Sequence, residues 1–566
     1  MKKFVNDADT FVRESLEGLA LTQPGLALLE GRTIAVQADR VVSGHDVGHG
    51  SGGGTRGSSG ADREAVPALI SGGGAGHEPA HAGFVGEGML TAAVSGGVFA
   101  SPSVDAVLDG IRAVTGSAGA LLIVKSYTGD RLNFGLAAQL AQDEGYAVKT
   151  VVVGDDIALG DTDTHAGARG LAGTVLVHKI AGALAASGAD LAEVTERARS
   201  VAGRLATMGV ALRPGTMPGS GEATFEIDED QIELGLGIHG ESGVEQVPHR
   251  PADGLAAELV DRVLAARPLD DGARVALLVN GLGGTPPAEL SVLTRAAHRL
   301  LGERGLRVER TYQGSVMTSL EMAGASVTVL PLEAGEAELL DAPTTSLAWP
   351  GGGGPVERHD DVPVPEAAAD AADPGDPDPQ VRAAVDAACQ AVLDDESRLT
   401  ELDQVVGDGD LGEALARGAR AWQEDPADGS AAYLLRVLSA RCRRAIGGTS
   451  GPLYAAGLVA AAQALEDGAD WPGALAAGVD GIQELGGAEP GDGTMVDALR
   501  PAADAAPDGW EAVLAATEQG VRSTVEGVSR KGRASYVGAR GQGHPDPGAE
   551  AVLTWLRAVR EAGRAG

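Results

Sequence analysis

Residues 351–380 read GGGGPVERHDDVPVPEAAADAADPGDPDPQ. The run is rich in Pro, Gly and Asp and has no apolar periodicity, so it offers neither a strand face nor a helix face to pack. Its acidic residues repel one another and keep it extended. It reads as the centre of a linker covering 335–380, and the chain differs on its two sides. Upstream, to about Leu332, short β-rich runs alternate with amphipathic stretches: ALLIVK at 120–125, VKTVVV at 148–153 and ARVALLVN at 273–280. This alternation predicts α/β architecture with largely parallel sheets over 1–334. Downstream the strand patterns stop. Ala383–Asp394, Gly412–Gln423, Ala431–Arg444, Leu453–Leu465, Trp510–Gly520 and Ala549–Ala562 carry apolar residues at helical spacing, which predicts an all-α domain over 381–566.

A length of 566 residues accommodates two to four domains, each able to bury a core. Aromatic residues make up 3%, so aliphatic side chains and Ala must fill the interior. The formal charge of −36 repels nucleic acid and anionic membranes, and it equally well describes a strongly solvated surface. It also repels ATP, so a nucleotide site here needs cations of its own. Cys389 and Cys442 lack metal-ligand spacing and read as buried thiols of a reducing, cytoplasmic compartment. The start, MKKFVNDADTFVRESLEG, has no apolar segment of the secretory type, and no run is long and apolar enough to span a bilayer. The stretch 44–62, GHDVGHGSGGGTRGSSGAD, reads as a solvated Gly/Ser-rich surface insertion.

Three motifs carry chemistry in the first half. SGGGAGHEPAH begins at Ser71 after the apolar run 66–70, and a strand opening into a Gly-rich loop lets backbone N–H groups approach an oxygen-rich ligand. The motif lacks the Gly-Lys-Ser/Thr ending of a P-loop. His77, at the end of that loop, suits either a structural role or a hydrogen bond to a substrate hydroxyl. KSYTGD at 125–130 ends a buried strand, at the edge where α/β sheets bind ligands; Asp130 is a turn carboxylate or a proton acceptor, and Lys125 a donor. GLGIHGE at 235–241 exposes His239 between glycines, as a core histidine or a functional one.

In the second half, DQVVGDGDLG at 403–412 sits between two predicted helices. No strand precedes it, which excludes a dinucleotide fingerprint, and Gly412 falls where an EF-hand needs a ligand. Asp403, Asp408 and Asp410 suit a hard divalent cation, or else a helix cap and loop. GGTSGPLY at 447–454 opens a helix whose N-terminal amides can receive phosphate. AEPGDGTM at 488–495, RKGRASY at 530–536 and GHPDPG at 543–548 follow.

In this order the motifs resemble the dihydroxyacetone kinase family. SGGGAGHEPAHAGFVGEGML, KSYTGDRLNFG and GIHGE resemble its substrate half over nearly all of the first 335 residues, and LDQVVGDGDLG, GGTSGPLY, AEPGDGTMVDAL and KGRASYVGARGQGHPDPGA resemble its nucleotide half from about Pro379 onward. The resemblance implies a ketose-binding α/β half of two subdomains and a C-terminal antiparallel helical barrel. It implies ATP-dependent phosphorylation of dihydroxyacetone, with His239 forming a hemiaminal with the ketone. Asp130 and His77 would contact the attacking hydroxyl, while Gly74, Ala75, Gly76 and Lys125 hold the remaining oxygens. Magnesium, as two ions, falls to Asp403, Asp408 and Asp410. ATP contacts fall to Leu411, Gly412, Glu413, Ala414, Thr449, Ser450, Gly486, Met495, Arg533, Asp546, Pro547 and Gly548. Two departures bear on ATP binding: Gly493 stands where a basic residue is common, and Glu413-Ala414 where polar residues are. The family also implies a homodimer. Kinases for erythrulose or glyceraldehyde, a cyclase forming a cyclic flavin phosphate and a non-enzymatic ketose-sensing coregulator are the rival readings.

Overall fold

The computed structural model describes residues 2–42, 65–159, 168–241, 243–351, 373–527, 529–531 and 542–565. The insertion at 44–62, residues 352–372 of the linker and Arg533 lie outside the described residues. The linker expected from 335 starts later than the sequence suggests, because Glu336–Asp341 is a helix and Leu340 and Trp349 are buried in the core of the first half. The chain forms two compact units, Met1–Asp360 and Asp361–Gly566.

The first unit holds two six-stranded sheets. One comprises β1 (Leu26–Leu28), β2 (Ile34–Gln37), β3 (Ala68–Ala75), β4 (Ala92–Val98), β5 (Ala120–Lys125) and β6 (Val148–Val153), in the order β1-β2-β4-β3-β5-β6. The other comprises β7 (Ala206–Arg213), β8 (Gln231–Leu234), β9 (Glu245–Pro248), β10 (Arg274–Gly281), β11 (Arg307–Gly314) and β12 (Ala323–Pro331), in the order β11-β10-β12-β7-β8-β9. Side chains alternate across a strand. On β5, Leu121 and Ile123 face the core that includes helices Gly173–Ala186 and Leu191–Arg204, while Ala120, Leu122 and Val124 face helices Val104–Val114 and Thr128–Asp143. Burial on both faces is why ALLIVK is continuously apolar. Ala276 and Leu278 of β10 join the first of those cores, so its helices lie as a layer between the two sheets. Val275, Leu277 and Val279 pack on the far side against helices Ala252–Ala266 and Pro287–Glu303.

The expectation of largely parallel sheets holds for β4-β3-β5-β6 and for the β10/β11 pair; it fails at the β1/β2 and β2/β4 pairs of the first sheet and for the rest of the second, where β10/β12, β12/β7, β7/β8 and β8/β9 are antiparallel. Parallel neighbours need a crossover element, usually a helix. The connections β8–β9 and β11–β12 have none, so these strands simply turn back.

The second unit is all-helical among the described residues, with helices Pro379–Asp394, Glu396–Val406, Leu411–Glu424, Ala431–Ala445, Ser450–Glu466, Trp471–Gly486, Val496–Ala505, Trp510–Glu526 and Pro547–Ala565. Neighbours in sequence pack side by side, and the last returns against the first, so the helices close into a ring. Three of them carry weak sequence signals. Trp471–Gly486 contains Pro472 and four glycines, Val496–Ala505 contains Pro501, and Glu396–Val406 is short and polar. Packing against neighbours outweighs low propensity in each case. No described helix is long and apolar enough to cross a membrane.

Candidate functional site

The first site gathers at the carboxyl ends of β3 and β5. The glycines expected in a loop are the end of β3 itself. A Cβ on Gly73 would lie 3.1 Å from Lys125 Nζ and 3.3 Å from Asp130 Oδ2, so the bare strand is what allows both charged groups to close on it. Gly74 lies against the backbone of Phe99 and Ala100, and the Ala75 carbonyl accepts the Phe99 N–H at 3.0 Å. The Gly76 N–H, expected to face a ligand, donates instead to the Glu78 carboxylate.

His77 is fully buried, and its Nδ1 lies 2.8 Å from the Thr318 carbonyl. A carbonyl only accepts, so Nδ1 carries the proton and Nε2 presents a lone pair. That Nε2 has no protein partner. Burial first, then the charge of Lys125, pushes the His77 pKa well below its ordinary value, so the ring is neutral. Lys125 ends β5, and its Nζ is likewise buried without a hydrogen-bond partner. Burial lowers its pKa, with Asp130 the strongest opposing charge. Asp130 lies not in a turn but in the first turn of helix Thr128–Asp143, where the helix dipole favours a carboxylate, and it accepts from Ser101 Oγ at 2.5 Å.

His239 lies between β8 and β9. Its ring stands edge-on to Tyr127, His77 and Phe99, with centroids 4.3, 4.7 and 5.5 Å away. Its backbone N–H donates to Glu241 Oε2 at 2.9 Å, and its Nδ1 lies 3.3 Å from Glu241 Oε1. Burial would raise the Glu241 pKa, but the hydrogen bond and charge of His239 outweigh it and hold the carboxylate at about 2. A carboxylate at Nδ1 draws the proton there and leaves Nε2 as the basic nitrogen. The fold therefore brings His77, Lys125, Asp130 and His239 together. Sequence reasoning passed over Tyr127, although it lies inside KSYTGD, and also Phe99 and Thr318. Thr318 comes from the β11–β12 connection, far from His77 in sequence, and has no local signal.

Behind this site, His81 Nδ1 and His178 Nε2 lie 3.0 Å apart in the core. Burial drives His178 down to about 3, and burial drives His81 and His77 down as well. A histidine whose folded pKa is depressed takes up its proton more readily in the unfolded chain. Stability is therefore full above about pH 6.5 and declines as pH falls, by about 1.4 kcal/mol per pH unit for each such ring. We expect urea midpoints of this unit to fall steeply between pH 6.5 and 5, and His178→Gln to flatten the fall; an unchanged slope would show that His178 does not contribute.

The second site lies in the helical unit. Asp403 belongs to the last turn of helix Glu396–Val406 rather than to a loop, Asp408 follows in the connection, and Asp410 stands at the N-cap position of helix Leu411–Glu424 without a capping side-chain bond. Asp403 Oδ2 accepts the N–H groups of Asp410 and Leu411 at 2.9 and 3.1 Å, folding the turn back on itself. One carboxylate oxygen from each of the three acids lies within 4.8 Å of the others. They border a cavity of about 450 Å³, lined also by Leu411, Ala414, Thr449, Ser450, Gly486, Met495, Asp546, Pro547 and Gly548. Ser450 opens helix Ser450–Glu466, with Thr449 as its cap. Burial, then the charges of Asp497 and Asp403, pushes Asp546 up to about 7. Gly412 is buried against Glu396 and Thr400, and Glu413 is exposed; neither lines the cavity. Gly493 is a turn residue at φ +72° whose Cβ would meet Ser529, which accounts for the missing basic side chain, while nearby Lys531 does line the cavity.

Residues 56–348 match the Dak1 domain and residues 405–561 the DAK2 domain. The chain is 40% identical to the triokinase/FMN cyclase of Mus musculus, over 99% of this chain and 98% of that protein. It is 34% identical to the L-erythrulose 1-kinase of Mycolicibacterium smegmatis, over 99% of both. Its fold matches the crystal structure of the dihydroxyacetone kinase from C. freundii in complex with AMP-PNP and Mg2+ at TM-score 0.69 and 36% identity, over 99% of both chains. With both domains on one chain and similarity along its whole length, the protein belongs to the dihydroxyacetone kinase family.

Proposed function

We propose that this protein transfers the γ-phosphoryl group of ATP to a terminal hydroxyl of dihydroxyacetone while His239 holds the ketone covalently. The observation that carries this reading is the pair of buried, unpartnered polar atoms, His77 Nε2 and Lys125 Nζ, beside the upright His239 ring. Buried polar groups without a partner are rare, and substrate oxygens would complete these two. In the proposed step, His239 Nε2 adds to the carbonyl carbon, the carbonyl oxygen takes up a proton, and Nδ1 releases one towards Glu241. His77 Nε2 accepts a hydrogen bond from a substrate hydroxyl. Asp130 takes the proton of the attacking hydroxyl as its oxygen bonds to the γ-phosphorus and ADP leaves. Oriented binding contributes most, since phosphoryl transfer depends on alignment and charge neutralisation.

The three carboxylates Asp403, Asp408 and Asp410 are hard oxygen donors of the kind magnesium takes, and they would hold it. That ion neutralises phosphate charge in a site that is otherwise acidic. The cavity beside them suits the nucleotide, with the amides opening helix Ser450–Glu466 available to phosphate. In this reading the α/β half, which includes helix Glu336–Asp341 and the buried Trp349, takes the ketose, 381–566 takes magnesium–ATP, the chain between Trp349 and helix Pro379–Asp394 joins them, and the working assembly is a homodimer.

A coupled assay of ATP with dihydroxyacetone against ATP with glycerol tests the reading. ADP should form with the ketone and fall to background with glycerol, which has no carbonyl for His239; equal rates would refute the covalent anchor. Similarity to an L-erythrulose 1-kinase supports a second reading, a four-carbon ketose, and kcat/KM across short ketoses and glyceraldehyde separates the two. ADP-free turnover of FAD with manganese would favour the cyclase. The acidic triplet speaks against a ketose sensor, which needs no metal–nucleotide site.

A further inference from the structure

Two non-glycine residues among those described have positive φ, Phe99 at 57° and Leu320 at 55°. Bulky side chains are disfavoured in that region, and such outliers concentrate where a site needs a particular wall. Here both press on one residue. A Cβ at Gly76 would lie 2.9 Å from Phe99 Cε1 and 3.3 Å from Leu320 Cδ2. They arrive from different sheets. Phe99 follows β4, with its N–H bonded to the Ala75 carbonyl at 3.0 Å, and Leu320 lies between β11 and β12, with its N–H bonded to the Gly76 carbonyl at 2.7 Å.

The Phe99 ring also borders both imidazoles. It stacks on His77 at 5.2 Å with the planes 21° apart, and it meets the His239 ring edge-on at 5.5 Å. Phe99 and Leu320 are both half-buried, so they border solvent as well as the site. A ketone bonded to His239, with one hydroxyl at His77, has the Phe99 ring as its neighbour on the side shared by the two imidazoles. An aromatic wall there offers no hydrogen bond to a further hydroxyl, and its ring stands where a longer chain would extend on that side.

We infer that Phe99, backed by Leu320, sets the chain length of the ketose that the site accepts. The inference rests on the proposed capture of a ketone by His239, and it goes beyond that reading by naming the residue that limits substrate size. Phe99→Gly removes the wall and also relieves the backbone, so the variant is expected to fold. Phe99→Leu shortens the wall and keeps it apolar.

The experiment uses the full chain and compares dihydroxyacetone, erythrulose and a five-carbon 2-ketose in two arms. One arm measures kcat/KM with ATP. The other omits ATP and follows capture of each ketose labelled with carbon-13 at its carbonyl, by the conversion of the carbonyl resonance to that of a tetrahedral carbon. The preference for longer over three-carbon ketose should rise about tenfold or more in Phe99→Gly, and less in Phe99→Leu, because one extra carbon in a fitted pocket is worth a factor of that order. A preference that stays within about twofold of the parent, while both substrates weaken together, would overturn the inference and leave Phe99 as a packing residue of His77. If the parent captures ketose but transfers no phosphoryl group, the proposed activity fails and the capture arm still decides the role of Phe99. A parent that captures no ketose overturns both.

Discussion

His239→Ala is expected to lower kcat/KM for dihydroxyacetone by about a thousandfold or more, since orientation of a bound reactant accounts for a large share of catalysis in well-aligned sites. The ring is set for this work. Tyr127 and His77 stand edge-on to it at 4.3 and 4.7 Å, and Glu241 binds both its backbone N–H and its Nδ1. Without the ring, His77 and Lys125 would still offer hydrogen bonds, so some non-covalent binding should persist. The loss would then divide unequally, with a large fall in kcat and a smaller rise in KM for the ketose. KM for ATP should not change, because the nucleotide cavity is built from the other unit. Carbon-13 NMR of labelled dihydroxyacetone should show the tetrahedral carbon with the parent and none with the variant. A tetrahedral signal that survives would move the anchor to another residue.

Asp408→Asn should raise the magnesium concentration needed for half-maximal rate by about a hundredfold. Changing a group that merely orients a metal ligand costs about 10–100-fold in affinity, and a direct carboxylate ligand should cost at least as much. Asp403 suits the test less well, because it also accepts two backbone N–H groups of the turn and changing it would disturb the fold as well as the charge. Saturating magnesium should recover part of the Asp408→Asn rate while KM for dihydroxyacetone stays put. An unaltered magnesium requirement would remove Asp408 from the metal site.

Much of this architecture was readable beforehand, and the failures have physical causes. Strand β5 has the predicted limits because a parallel strand buried on both faces is an unbroken apolar run with clear ends, and edge strand β6 has them because its β-branched run is bounded by turns. The second sheet was misjudged because strand direction depends on the connection between strands, and periodicity carries no record of it. Helix Trp471–Gly486 was hidden by its proline and glycines; its residues Ala474, Gly478 and Ile482 are buried at helical spacing against neighbouring helices. At the sites, motif order identified the charged residues, since chemistry restricts which side chains can serve. Tyr127 and Phe99 were missed because an aromatic residue beside a strand end looks the same whether it fills a core or lines a pocket. The contact of Glu78 with Gly76 was also missed, because it depends on the fold of the loop more than on its composition.

The hydrogen bond from His77 to the Thr318 carbonyl spans 241 positions of sequence. A designer who transplanted the segment around His77 onto another scaffold would move the glycines and the imidazole, yet leave behind the distant acceptor that decides which nitrogen stays bare. The reactivity of that short segment is thus on loan from the β11–β12 connection of the second sheet, and a graft would need both.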